Sequence, residues 1–402
     1  MLSVAEARAR ILKGILPVTC ETVALSDSLM RVLASPVKAL RTQPPFDMSA
    51  MDGYAVRAAD VEAGGPLTVI GQSQAGLGFN GDLKPGQAVR IFTGAPVPPG
   101  ADAILIQEDA ERAGETIVAR ARVSDRQYIR PKGLDFREGD TLFAPGHRLS
   151  ARDLGLAAGL GHAALPLRRR PVMAILATGD ELVPPGVMPV GDEIIATSSV
   201  ALAALVQAEG AQAHDLGIVR DEEDALQAAV AAVRELRPDV LVTLGGASVG
   251  DHDLVRKVFE QQGLDLDFWK IAMRPGKPLI SGRLDGIPTL GLPGNPVSAQ
   301  VCALLFLKPL LRALLGRRDV EPLLEPAILG CGLPANGRRE DYMRASLSED
   351  AAGRLTVFPF EAQDSSMTRL FAQADALLVR APDEPAAQKG DACRILRLDE
   401  TC

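Results

Sequence analysis

At 402 residues and 47% apolar content the chain can bury roughly two to four cores, which excludes a single small module. A formal charge of −8 excludes non-specific binding to nucleic acid or to an acidic membrane surface, because both need a basic face. The scattered cysteines Cys20, Cys302, Cys331, Cys393 and Cys402 form no CxxC pair, so neither a disulfide framework nor a thiolate zinc site is expected, and the usage fits a reducing cytoplasm.

In chain order, Ser3 followed by Glu6 predicts a capping box opening an amphipathic helix. That stretch mixes acid and base without a cleavable apolar core, so no secretion signal is expected. No membrane span is expected either, since the most apolar helix, near 297–315, holds Gln300, Lys308 and Arg312. Helix and strand character continues to about residue 40, where RTQPPF brings Pro44 and Pro45 and breaks any helix. From 42 to 141 short β-type runs (LTVIGQ, AVRIF, AILIQE, TIVAR) sit between Gly and Pro turns and predict an all-β module. A second capped helix, SARDLGLAAGL, opens at Ser150. The β module is therefore expected as an insertion in a small helical domain built discontinuously from 1–41 and 142–167.

Residues 168–316 alternate strand and helix (VMAIL, HDLGIV, EEDALQAAVAAVREL, VLVTL, DLVRKVFEQQ, TLGL and a helix beginning at Pro296), which predicts a doubly wound α/β domain. In such a domain ligands sit beyond the carboxyl ends of the strands, where ATGDEL, TLGGASVGDHD and LPGNPVSA fall. Residues 317–402 return to short alternating segments, expected as a C-terminal β-barrel or sandwich. The fold class is thus multidomain α/β plus β.

Each polar loop also has a plainer explanation. In TLGGASVGDHD, Gly245 and Gly246 permit close backbone approach, Ser248 offers a donor, and Asp251 and Asp253 are hard oxygen ligands; a lone loop of this type is more often a polar turn. In LPGNPVSA, Gly294, Asn295 and Ser298 surround a helix start that attracts anions, although Asn295 before Pro296 is also an ordinary cap. Arg274 and Lys277 in MRPGKPLI suit phosphate, or else decorate a solvated turn. Glu181 joins the acids after strands as a ligand for Mg²⁺, while Asp221 divides evenly between function and capping the next helix. PPFDMSAMDGYAV fits neither a clean strand nor a clean helix and reads as a connector with a turn at Asp52 and Gly53. No Ser–His–Asp or Cys–His arrangement is supported by the dispersed histidines.

Together PPFDMSAMDGYAV, IFTGAPVPPGADAILIQED, RPKGLDFREGD, ATGDEL, TLGGASVGDHD, MRPGKPLI and GLPGNPVSA, in this order, resemble the molybdopterin molybdenumtransferases of the MoeA and gephyrin E-domain family across nearly the whole chain. The resemblance implies an elongated homodimer, dimerising through the helical domain, that inserts molybdate into adenylated molybdopterin with release of AMP. It implies Asp52, Thr93, Asp135, Glu181, Asp221 and Asp253 as active-site positions, the cleft being completed by the β module of the other subunit. Glu181, Asp251 and Asp253 are implied metal ligands. Gly245, Gly246, Ser248, Arg274, Lys277, Gly294, Asn295 and Ser298 are implied substrate contacts, joined by Arg339 and Arg344 in RREDYMR and Ser365 in QDSSM. Contact with other molybdenum cofactor biosynthesis proteins is implied as well. The chain departs from the family pattern at Leu244 for Ser, Arg274 for Lys, and at Thr197 and Ser198 for a Ser-Asn pair. Two competing functions remain: a Mg²⁺-dependent nucleotide pyrophosphatase or adenylyltransferase using the α/β domain alone, and a catalytically silent dimeric scaffold.

Overall fold

The computed structural model describes residues 1–246, 254–349 and 353–398. The predicted capping box at Ser3 forms, and the second predicted cap, at Ser150, forms as a capping box too. Ser3 and Glu6 open the helix Val4–Leu12, and Ser150 with Asp153 opens Ala151–Gly159, each Ser hydroxyl accepting from the third backbone N–H of its helix. Val4, Ala7 and Ile11 of the first helix pack into the same apolar core as the central α/β sheet. Leu33, Val37, Phe136, Phe143, Leu149 and Leu160 form a separate small core, where Cys20–Ala24 pairs antiparallel with Ala164–Arg168 and Val37–Lys38 with Thr141–Phe143. The chain thus leaves this unit, builds the β module and returns beside its starting point.

The β module is a six-stranded sheet in the order Ala103–Ile106, Gly53–Val56, Gln87–Ile91, Pro66–Ser73, Thr116–Ala119 and Ala110–Ala113. Here the connector expected at Asp52 and Gly53 is corrected. Gly53 opens a fully buried strand between two neighbours, and a Cβ at that position would lie 2.1 Å from the Leu105 carbonyl oxygen. The glycine serves strand packing; Met and Asp residues just before it obscure, in the sequence, the short apolar run after it.

The α/β sheet runs in the order Gln212–Val219, Val172–Thr178, Val240–Leu244, Ile287–Leu292, Pro278–Leu284 and Leu264–Lys270. The first four are parallel, and Pro278–Leu284 is antiparallel to both its neighbours. The strands Leu264–Lys270 and Pro278–Leu284 are additions to the sequence expectation. Leu264–Lys270 lies at the sheet edge with alternating burial, so its apolar content is too diluted by Asp265 and Asp267 to stand out. From Val172–Thr178 the chain moves outward to Gln212–Val219, then crosses back to Val240–Leu244 on the other side. That reversal is a topological switch point, and it opens a crevice between Thr178 and Leu244.

The apolar helix Pro296–Leu314 is mostly buried in the central core, as its composition predicts for a core helix. It widens to a π turn over Ala303–Leu307 immediately before Pro309, whose missing N–H and bulky ring disfavour a regular α turn there. Beyond it, Glu340–Glu349, Leu355–Pro359, Glu325–Leu329, Ala392–Arg397 and Ala376–Arg380 pair in sequence, and the last pairs back with the first. The C-terminal region is therefore a closed five-stranded barrel. Met273–Arg274 adds to its wall beside Glu340 and Asp341, so the turn expected at the α/β ligand edge is a bridge between the two units.

Candidate functional site

The switch point opens into a cleft of about 670 Å³. Its floor is made by strand ends: Ala177 and Thr178 from one side, Leu244 and Gly245 from the other. Gly245 has φ +89°, and a Cβ there would sit 2.5 Å from the Thr178 carbonyl oxygen; at Gly246, with φ +61°, it would sit 2.4 Å from Val255 Cγ2. Both glycines are thus required by close approach of the neighbouring strand end and helix, which brings their backbone to the cleft wall. Thr178 donates its hydroxyl to the Leu244 carbonyl at 3.3 Å, tying the two strand ends together. Leu244 itself is only 4% exposed.

Gly294, Asn295 and Pro296 line the opposite wall. Asn295 occupies the cap position and Pro296 the first turn, but the Asn295 side chain makes no cap bond. The second helical N–H, that of Val297, donates instead to the Ser365 carbonyl at 3.1 Å. The anion-binding capacity of this helix start is thereby reduced, since Pro296 has no N–H and Val297 is already satisfied. Ser298 is buried one turn in.

Glu181 and Asp221 face the cleft from two different loops. The even choice between capping and function for Asp221 resolves against capping: Glu222 takes the cap position and the helix begins at Glu223. The Asp221 carboxyl is pushed up by partial burial and then by the negative charges of Asp180 and Glu181. Its backbone N–H donates to Asp180 Oδ1 at 3.2 Å, which holds the two loops together. Three acids crowd one corner, yet among the described residues no group of three or more side chains is close enough to hold a metal ion by itself. Ser248, Asp251 and Asp253 lie outside the described residues.

Hydroxyls are the component that sequence reasoning under-weighted. Thr178, Thr197, Ser198, Ser199, Ser366 and Thr368 line the cleft, and the last two come from the C-terminal region, nearly 200 residues beyond Thr178. Among the described lining residues there is no cation. Arg274 forms an ion pair with the buried carboxylate of Asp341 on the barrel, and Lys277 is exposed beside Pro278, which does reach the cleft. Arg339 is half-buried; Arg344 is 2% exposed inside the barrel, its guanidinium spent on Gln363 and on the carbonyls of Ala362 and Asp364.

Asp52 and Thr93 meet in the β module, apart from this cleft. Asp52 Oδ1 accepts both the backbone N–H and the hydroxyl of Thr93, each at 2.7 Å. The Thr93 backbone bond, its hydroxyl and the nearby Arg90 charge, in that order, hold the Asp52 carboxyl below the usual range. Arg90 is stacked between Tyr54 and Phe92, 5.0 Å from each ring centre, and donates to Gln107 at 2.7 Å. Asp135 is exposed, its backbone N–H held by the Gln43 carbonyl. Among the described residues, none from 42–141 lines the cleft of the same chain.

Comparison with known proteins matches this arrangement from end to end. Residues 2–161 match the MoeA N-terminal region (domain I and II), 174–313 a probable molybdopterin binding domain, and 326–398 the MoeA C-terminal region (domain IV). The chain is 33% identical over 398 residues to a molybdopterin molybdenumtransferase of Haemophilus influenzae, covering 98% of each. A molybdopterin molybdenumtransferase of Bacillus subtilis is 33% identical, with 94% of this chain and 90% of the relative covered. The crystal structure of the molybdopterin biosynthesis MoeA protein of Pyrococcus horikoshii superposes with a TM-score of 0.87 over the full length of both chains at 28% identity. With a switch-point cleft, a five-stranded C-terminal barrel and relatives alike over nearly its whole length, the chain belongs to the MoeA family of molybdopterin molybdenumtransferases.

Proposed function

We propose that the protein is a transferase of molybdenum cofactor biosynthesis that inserts molybdate into adenylated molybdopterin and releases AMP. The observation that carries this reading is the switch-point cleft, which gathers glycine backbone, hydroxyls and acids from distant segments around a volume of about 670 Å³, a size suited to a nucleotide-like ligand. Strand-end glycines let the backbone approach the ligand, and neutral hydroxyl donors meet phosphate oxygens in a cleft whose described lining is without cations. Asp221, raised by burial and by its acidic neighbours, is a group whose charge a divalent cation would relieve.

Glu181, with Asp251, Asp253 and phosphate oxygens, would hold Mg²⁺ through hard oxygen donors, since the described acids do not form a metal-holding set by themselves. When bound, such an ion neutralises phosphate charge and polarises the phosphoanhydride. The chain's own residues then divide the work. Gly245, Gly246 and Gly294 with Asn295 seat the nucleotide, the serine and threonine hydroxyls orient its phosphates, and Glu181 and Asp253 hold charge at the bond to be cleaved. Lys277, exposed one residue from the cleft-lining Pro278, would favour an anion in an otherwise acidic protein, whereas Arg274 is spent on Asp341.

Asp52, Thr93 and Asp135 belong to this site in a homodimer, where the β module of one subunit covers the cleft of the other. The fixed, ionised Asp52 carboxylate supports that role, because it is prearranged by Thr93 yet does not line the cleft of its own chain. The division into a discontinuous helical dimerisation domain, inserted β module, α/β domain and barrel belongs to the same proposal, as does a cytoplasmic location. The test is to incubate the purified protein with adenylated molybdopterin, Mg²⁺ and molybdate. AMP release together with transfer of active cofactor to an apo-enzyme is the expected result. Hydrolysis of ordinary dinucleotides without cofactor transfer would favour a plain pyrophosphatase.

A further inference from the structure

In the β module, Arg90 on the strand Gln87–Ile91 stands directly across from Tyr54 on Gly53–Val56. Its guanidinium carbon lies over the rings of both Tyr54 and Phe92, 5.0 Å from each centre. Stacking occupies the faces of the planar guanidinium and leaves the N–H groups at its edge for hydrogen bonds. Nη1 donates to the Gly53 carbonyl at 3.2 Å and Nη2 to Gln107 Oε1 at 2.7 Å. Gln107 is itself oriented, since its Nε2 donates to Glu108 Oε1 at 3.2 Å.

These contacts converge on one pair of residues. Gly53 follows Asp52 in the chain, Phe92 precedes Thr93, and the Gln107 backbone N–H donates to the Asp52 carbonyl at 3.1 Å. Asp52 Oδ1 in turn accepts the N–H and the hydroxyl of Thr93. One side chain therefore fastens the residue after Asp52, the residue before Thr93 and the residue that holds the Asp52 backbone. A cross-strand pair that served the sheet alone would need Tyr54 and no more.

We propose that Arg90 is a positioning residue, whose stacked guanidinium fixes the Asp52–Thr93 pair through the residues beside it and so presets the Asp52 carboxylate for the cleft of the other subunit. The same contact places a permanent positive charge near that carboxylate, which adds to the Thr93 donors in holding it ionised. The proposal rests on the reading of Asp52 as an active-site group in the homodimer.

It is tested on the full-length protein by an NMR titration of the Asp52 carboxyl and by steady-state AMP release from adenylated molybdopterin with Mg²⁺ and molybdate, with a thermal melt for each variant. Arg90→Met keeps an apolar stem against both rings but removes the charge and the donors. It is expected to move the Asp52 titration back toward the ordinary carboxylate range and to lower kcat about tenfold with KM within about twofold. Arg90→Lys keeps the charge without the planar fork, so the titration stays closer to wild type while kcat falls a few-fold with an unchanged melt. If Arg90→Met does not fold, Arg90→Lys decides, and a wild-type kcat there overturns the proposal. A fall in kcat in Arg90→Met with the Asp52 titration unmoved reduces Arg90 to a structural residue and overturns it as well. A shifted titration without loss of rate overturns it by another route, through the reading of Asp52 on which it rests. No AMP release by the wild type overturns that reading and the proposal together.

Discussion

Two acidic places in this molecule are built in opposite ways. In the α/β cleft, partial burial and then the charges of Asp180 and Glu181, from a neighbouring loop, raise the Asp221 carboxyl, an arrangement that positive charge would relieve. In the β module, Asp52 is surrounded by donors from one neighbouring loop and is held ionised. The first lines a ligand-sized cleft with crowded charge; the second has settled charge and lies outside that cleft. Under the proposed homodimer this contrast has a use: the settled carboxylate of one subunit is what the crowded cleft of the other would receive.

The largest expected effect breaks the cleft itself. Gly245→Val places a branched side chain at φ +89° against the Thr178 carbonyl, and should cost about 3 kcal/mol or more in thermal or urea unfolding. The β module answers differently. Asp52→Ala should leave the unfolding transition nearly in place and lower AMP release about a hundredfold, since it removes a partly exposed carboxylate from the reaction and little packing. Unchanged turnover in Asp52→Ala would remove the β module from the chemistry.

A smaller effect arises from the sign of the Asp221 shift. A carboxyl whose pKa is higher in the folded chain costs stability when ionised, and that cost grows as pH rises through the unfolded value and is complete above the folded one. Asp221→Asn should therefore melt slightly higher than wild type at neutral pH, with the difference vanishing in acid, while substrate binding falls. Asp52 has the reverse sign: its stabilisation is present above the unfolded value and is lost as pH falls through the folded one. The smallest change is Thr93→Val, which deletes the hydroxyl but keeps the backbone donor. It should move the Asp52 carboxyl part of the way back toward its ordinary range in an NMR titration.

Much of the fold is legible in the residues. The capping boxes at Ser3 and Ser150 and the strand VLVTL stand out because their signals are local. Other features depend on neighbours far away in sequence. Gly53 reads as a turn until the Leu105 carbonyl on the adjoining strand is known, and MRPGKP reads as a ligand loop until Asp341 supplies the partner of Arg274. Gly245 and Gly246 are rightly singled out by sequence as sites of close approach, but what approaches them is Thr178 and Val255. The resemblance singles out Ser365 in QDSSM but not its neighbours Ser366 and Thr368, since nothing in that stretch points to a helix start at Pro296. Asp180 could have been: it stands next to Glu181 in ATGDEL and shares its charge environment.

In the proposed homodimer, the cleft of one subunit and the β module of the other form one active site. It is tested most directly by mixing two inactive proteins, Asp52→Ala and Glu181→Ala, under conditions that exchange subunits, and measuring AMP release coupled to cofactor transfer. A mixed dimer then holds one composite site with both acids intact, so activity should reappear in the mixture at a fraction of the wild-type rate. If subunits exchange and the mixture stays as inactive as its components, the shared site is contradicted.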